Sequence, residues 1–226
     1  MTTLYCGPTS QGSGDFFFFP AEDAEQAADW IIEIVTERIP QKFGFDAIHD
    51  IQVLAPIYRG PAGVIALNDR LQEKLNPAAN SKPERRLFGT VFRLGDKVMQ
   101  TQNNYDKDVY NGDIGFIEAI DMIEQTITVD FDGRSATFEW SEADQLTLAY
   151  VVSVHKAQGS EFPVVVMPVV TQHYTMLQRN LLYTSITRAR KLCVLAGSRR
   201  AISMAVRNNK VAQRFTALEW RLRRSA

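Results

Sequence analysis

The sequence predicts an α/β protein built on a parallel sheet, with a small β-barrel set inside the larger fold. Three observations predict it. Apolar runs of strand length alternate with helical patterns in both the N-terminal and C-terminal parts of the chain. Between about Phe92 and Leu148 the pattern changes to short alternating segments punctuated by turn residues, the composition of a small barrel. With 226 residues, 45% of them hydrophobic, the chain can bury a core as one large domain or two small ones.

The elements follow in order. Residues 1–15 are rich in Gly, Ser and Thr and read as a flexible lead-in. Phe16 to Phe19 is an aromatic run ending at Pro20 and predicts a buried strand, because exposed it would invite aggregation. Ala21 to Ile39 predicts a helix: Trp30, Ile31, Ile34 and Val35 recur at helical spacing, acids fill the first turn, and Pro40 marks the end. Ile51 to Ala55 predicts a strand. Gly60 to Leu75 predicts a helix with Val64, Leu67, Leu71 and Leu75 on one face. Within the β-rich part, Ile114–Ile120, Thr126–Phe131 and Ser135–Trp140 predict strands, with Asn111-Gly112-Asp113 and Asp132-Gly133 as turns. Ala149–Val154, Val164–Val170 and Leu192–Ala196 then predict three strands, and a helix is expected from about Met176 to Arg190.

Charge and cysteine usage exclude some classes. The formal net charge is -1, so any nucleic-acid contact must come from a local patch. The basic run is at the end: Arg199, Arg200, Arg207, Lys210, Arg214, Arg221, Arg223 and Arg224, which a solvated helix face explains equally well. Cys6 and Cys193 have no metal-ligand spacing, and Cys193 reads as a buried free thiol. No signal peptide and no apolar stretch of the roughly 20 residues needed to span a bilayer is seen, so a cytoplasmic protein without membrane contact is expected.

Three segments carry chemistry. Gly7-Pro8-Thr9-Ser10-Gln11-Gly12 has the glycine spacing of a phosphate-binding loop, but Ser13 and Gly14 stand where the lysine and the metal-binding hydroxyl belong. An independent phosphohydrolase is therefore disfavoured. Val154 to Phe162 lies between two strands and offers a cation, an amide, a glycine, a hydroxyl and a carboxylate, groups suited to phosphate, sugar and nucleotide contacts. Each has an ordinary alternative as a core or loop residue. Leu181 to Lys191 ends in cations just before a strand, where an arginine can reach a phosphate; helix-dipole complementation explains Arg190 and Lys191 as well.

His155-Lys156-Ala157-Gln158-Gly159-Ser160-Glu161-Phe162 resembles motif V of superfamily 1 helicases, and Tyr183 to Arg190 resembles their motif VI. Val53 to Gly63, with Leu67-Asn68, is similar to motif IV of the RecD-like branch. Gly95 to Gln100, Asn103-Asn104-Tyr105 and Asn111 to Gly115 are similar to the segment leading into that branch's SH3-like barrel. The resemblance, to the RecD-like (exodeoxyribonuclease V alpha-subunit) family, covers about residues 16–200.

The resemblance implies a second RecA-like domain at 16–100 plus 147–226 and an SH3-like barrel at 101–146. It implies that Arg188 is an arginine finger to ATP and Arg59 a second one, with Tyr58 competing for that place. Glu161 would touch the nucleotide sugar and Gly159 would lie near the phosphates. Ser153, His155 and Gln158 would link the DNA path to the ATP site, and Asn103 and Asn104 would contact the strand. ATP and Mg²⁺ would serve the full-length parent, with the P-loop on a missing N-terminal RecA-like domain; no tight cofactor binding and no hydrolysis is expected of this chain alone. Partners implied are single-stranded DNA and a nuclease or repair complex, with 5′-to-3′ movement. The competing reading is a non-enzymatic module that binds protein or nucleic acid through its barrel.

Overall fold

The computed structural model describes residues 14–209. Most of the expected lead-in, Cys6, and Lys210, Arg214, Arg221, Arg223 and Arg224 of the basic run lie outside the described residues. Among the described residues no helix is long and apolar enough to cross a membrane.

β1 (Phe16–Pro20) leads to α1 (Ala24–Glu33), whose first turn is capped by the Asp23 carboxylate accepting from the Gln26 N–H at 2.8 Å. The helix does not stop at Pro40. A π-helical stretch, Ile34–Arg38, shifts the hydrogen-bond register, and α2 (Ile39–Phe43) carries Pro40 in its first turn, where no N–H is required. Gly44, at φ 72°, ends it in the left-handed conformation. β2 (Ile51–Ala55) then runs into α3 (Val64–Leu75).

A hairpin follows, β3 (Glu84–Leu87) and β4 (Thr90–Arg93), then β5 (Lys97–Gln100), β6 (Ile114–Asp121), β7 (Thr126–Phe131), β8 (Arg134–Glu139) and β9 (Leu146–Leu148). The chain returns through β10 (Val151–Ser153), β11 (Phe162–Val169), α4 (Arg179–Ile186), β12 (Ala189–Gly197) and α5 (Arg199–Arg207). The expected helix to Arg190 is shorter because Ala189 already pairs with Phe162, so Arg190 and Lys191 stand in a strand and not at a helix end.

The main sheet is five-stranded and all parallel, in the order β1-β12-β11-β2-β10. Alternation along its strands fills two cores. Val164, Val166, Val194, Ile51 and Val53 face α1 and α3 with Ile31, Leu67 and Leu71, while Val165, Met167, Leu195 and Leu54 face α4 and α5 with Leu181 and Ala201. A RecA-like parallel sheet covered on both faces is thus observed.

The second sheet, β8-β7-β6-β5-β9, is the antiparallel SH3-like unit. The expected limits 101 and 146 cut it too short, because β5 and β9 are two of its strands and pair with each other at Val98–Leu148. Its core of Val98, Ile117, Val129, Phe131 and Phe138 is continuous with the core under α3. Buried polar contacts also join it to the main sheet. The Asp96 carboxylate, with no exposure, accepts from Gln72 Nε2 (2.6 Å), Asn76 Nδ2 (2.7 Å), Tyr150 Oη (2.9 Å) and the Arg93 N–H (2.7 Å). Desolvation pushes its pKa up, against the hydrogen bonds that lower it. Buried Lys97 donates to the carbonyls of Ile48 and Ile51, and burial holds its pKa down at about 8.

The hairpin was not expected. Its two-residue turn is Phe88-Gly89, with φ of 47° and 85°. Such a turn favours Asn-Gly, and a bulky residue in the left-handed region is strained by about 1 to 2 kcal/mol. Phe88→Asn should therefore raise stability by about 1 kcal/mol in urea titration; an unchanged or lower midpoint would show that the turn is not strained.

His173 follows β11, buried at 2% exposure, with Nδ1 making no hydrogen bond among the described residues. Desolvation lowers its pKa to about 4. The unfolded chain therefore takes up this proton first, and the contribution is present above about pH 6.5 and lost as pH falls to about 4. The loss is about 3 kcal/mol. His173→Leu should flatten that part of the stability–pH profile relative to wild type, and an unaltered profile would refute the assignment.

Candidate functional site

The parallel sheet has two edges, and the register decides which residues share one. Ser153 is level with Ala55 at the C-terminal ends of the strands, whereas Phe162 begins β11 two residues before the Val164–Ile51 pair. The segment 154–161 therefore crosses from one edge to the other, about 20 Å along the strands. It does so through a compact turn. The Ser153 carbonyl accepts from the N–H groups of Lys156 (3.0 Å) and Ala157 (3.2 Å), the Ala157 carbonyl accepts from Ser160, and Gly159 takes φ 92° with open space where a Cβ would lie.

At the N-terminal edge this turn meets Arg188. Arg188 leaves the last turn of α4, its N–H bonded to the Ser185 carbonyl at 3.2 Å, and its own carbonyl accepts from the Phe162 N–H at 2.8 Å. Its guanidinium donates through Nη1 to the Ser160 carbonyl at 3.0 Å, while Nε is buried with no hydrogen-bond partner among the described residues. Arg190 Nε donates to Glu161 Oε2 at 3.0 Å, both side chains largely exposed. Gly159, Glu161 and Arg188 thus come together. This edge offers a held cation with donor capacity to spare, a glycine open to close approach, and a carboxylate.

Arg59 stands apart from this cluster. It follows the C-terminal end of β2 and lies, exposed, at the opposite edge, and Gly63 packs against the Arg59 carbonyl, to which a Cβ there would come within 2.6 Å. Exposed His155 follows β10 at that same edge, and exposed Gln158 lies three residues on in the turn. Ser153 is buried, its hydroxyl accepting from the Lys156 N–H at 3.3 Å, so it shapes the turn rather than facing a ligand.

Asn103 and Asn104 are on the barrel loop between β5 and β6, and their side chains brace it: Asn103 Oδ1 accepts from the Asn111 N–H, and Asn104 Nδ2 donates to Gln145 Oε1. What the loop presents is aromatic. Tyr105 (75% exposed) and Tyr110 (39%) pack edge-to-face at 6.0 Å. Neither tyrosine has a role that the sequence resemblance implies, although Tyr105 directly follows Asn103-Asn104. Lys156 Nζ donates to Asn111 Oδ1, tying this loop to the crossing segment, and a shallow cleft lined by Gly112, Ile114, Phe131, Arg134, Ser160 and Phe162 separates them.

A doubly covered parallel sheet with an SH3-like unit inserted before β10 defines a RecA-like helicase domain. A model of the SH3 domain of ATP-dependent RecD-like DNA helicases matches residues 67–131, and one of the UvrD-like helicase C-terminal domain matches residues 148–196. The ATP-dependent RecD2 DNA helicase of Deinococcus radiodurans is 39% identical over 169 residues, 75% of this chain and 23% of that protein. The RecBCD enzyme subunit RecD of Mycolicibacterium smegmatis is 28% identical over 184 residues, 81% of this chain and 31% of that protein. The crystal structure of Bacteroides Pif1 helicase in complex with ADP-AlF3 and ssDNA shares the fold at TM-score 0.51 and 18% identity, covering 88% of this chain and 49% of that one. The chain belongs to the RecD-like superfamily 1 helicases and corresponds to part of their motor, spanning between about a quarter and a third of the length of these relatives.

Proposed function

We propose that the chain is the second half of an ATP-driven DNA motor, supplying Arg188 to ATP at one edge of its sheet and part of a single-stranded DNA track at the other. The observation that carries this is Arg188, held against the Ser160 carbonyl beside Gly159 and Glu161, with its Nε making no hydrogen bond among the described residues. In this reading the P-loop and the Mg²⁺ carboxylate come from a preceding RecA-like domain. Bound ATP supplies the phosphoryl group; Arg188 stabilises the charge that develops on it, Gly159 lets the chain approach the phosphates, and Glu161 accepts from the sugar hydroxyls. His155, Gln158 and, on its observed edge, Arg59 face the DNA. The crossing segment 154–161 joins the two edges, so a change at either reaches the other through one short stretch of backbone.

The domain division that fits the sheets is 16–94 plus 149–209 for the RecA-like part and 97–148 for the barrel. A nuclease or repair complex is a fitting partner, since one relative is named as a RecBCD subunit. A second reading, binding through the barrel, draws support from the exposed Tyr105–Tyr110 pair. Mg-ATP turnover by the purified chain, with and without a single-stranded oligonucleotide, tests the main reading. No turnover is expected until a P-loop domain is added. Turnover by the chain alone that Arg188→Ala removes would mean a complete site exists here and the half-motor reading is wrong.

A further inference from the structure

A groove runs between α3 and the β3–β4 hairpin, lined by Tyr58, Ile65, Asp69, Arg86 and Gly89 among others. Two large apolar side chains of its lining are exposed, Tyr58 at 53% and Ile65 at 55%, and Phe88, next to the lining residue Gly89 at the hairpin tip, is 65% exposed. Phe88 is the unusual one. It occupies a left-handed turn position that suits Asn or Gly, and at that position it gains little burial in return. Strain of this kind points to a use for the side chain itself.

The chemistry around the tip is that of a nucleic-acid contact. Arg86 Nη1 donates to the Gly89 carbonyl at 3.3 Å, which places its guanidinium at the turn beside Phe88. Arg85 lies over the Trp140 ring at 4.2 Å and leaves the hairpin cationic on that face too. Of the nearby acids, Glu73 and Glu84 share the single cation of Arg93, and Asp69 is a further acid in the groove, so the cations that stand clear of these pairs are Arg85 and Arg86 on the hairpin. The groove is also continuous with the C-terminal edge of the sheet, because Tyr58, one of its walls, immediately precedes Arg59.

We propose that this groove is a further single-stranded DNA-binding stretch, in which Phe88 and Tyr58 stack on bases and Arg86 meets a phosphate. Exposed aromatics accept any base face, and the cations follow the backbone. The strand leaves the sheet edge at Arg59 and passes along α3 towards the hairpin tip. The proposal rests on the reading that the C-terminal edge carries DNA.

The test is fluorescence anisotropy of a labelled oligothymidylate of about 20 nucleotides with the whole chain at low salt. Phe88→Asn is the informative variant, because Asn suits the turn and keeps the hairpin folded. Its affinity should fall about 5-fold to 100-fold while its melting temperature holds or rises, and Tyr58→Ala should weaken binding by a similar factor. Crosslinking of an oligonucleotide carrying 5-iododeoxyuridine should map to peptides containing Phe88 or Tyr58. If wild type binds, Arg59→Ala and His155→Ala weaken it, and Phe88→Asn does not, the groove is not a DNA site and the edge reading stands. If wild type shows no affinity for the oligonucleotide, both fall together.

Discussion

Replacing Arg188 by Ala should lower the ATPase rate of a motor assembled from this chain and a P-loop domain by about 10³-fold or more, the effect of removing a cation from the charge that develops in phosphoryl transfer. The chain should remain folded, because among the described residues Arg188 makes one side-chain hydrogen bond, to the Ser160 carbonyl, and its backbone bonds survive the change. Arg188→Lys should not restore the rate, since an ammonium does not reproduce the planar, multi-donor fork. DNA affinity should change little, because Arg188 lies at the edge opposite His155 and Arg59. The measurement is kcat at saturating DNA, beside a thermal melt of each variant. A rate within a few-fold of wild type, with the variant folded, would remove Arg188 from the ATP site.

Asp96→Ala should destabilise the chain by about 3 to 5 kcal/mol, the largest effect expected of any single core substitution here. It leaves the side-chain donors of Gln72, Asn76 and Tyr150 and the N–H of Arg93 without their acceptor inside a dry junction. Because these groups come from α3, the segment leading into β5, and the approach to β10, the damage should reach both sheets. Urea unfolding followed by circular dichroism should show the midpoint fall. A shift below about 1 kcal/mol would mean that the donors find water or other partners and that the two units are joined by apolar packing alone.

Arg59 shows where reading along the chain runs out. Motif order places it beside Arg188 as a second finger, since both arginines belong to recognised segments. Strand direction separates them: Arg59 follows the end of β2, and Arg188 precedes the start of β12. Asn103 and Asn104 have a local part in the structure. Their amides close the loop locally, as Asn side chains commonly do, and the loop presents Tyr105 and Tyr110 instead. Ser153 is likewise a turn former. Pro40 misled because a π-turn displaced the position at which its missing N–H matters. The β3–β4 hairpin escaped notice because Phe88-Gly89 is not a turn signal.

The strands of the main sheet were legible from the sequence because buried parallel strands are nearly continuous apolar runs, and Val164 to Val169 and Leu192 to Ala196 could be little else. The motif segments at 155–162 and 183–190 were legible because phosphate and sugar contacts need particular residue types at fixed spacing. The pairing of Arg188 with the 159–161 turn was therefore within reach of the sequence. Which edge each residue occupies, and which polar groups remain free for a ligand, was decided only by the tertiary structure. Strand order and direction are set by long-range pairing, and a side chain is free only when its neighbours, brought from dozens of residues away, leave it so.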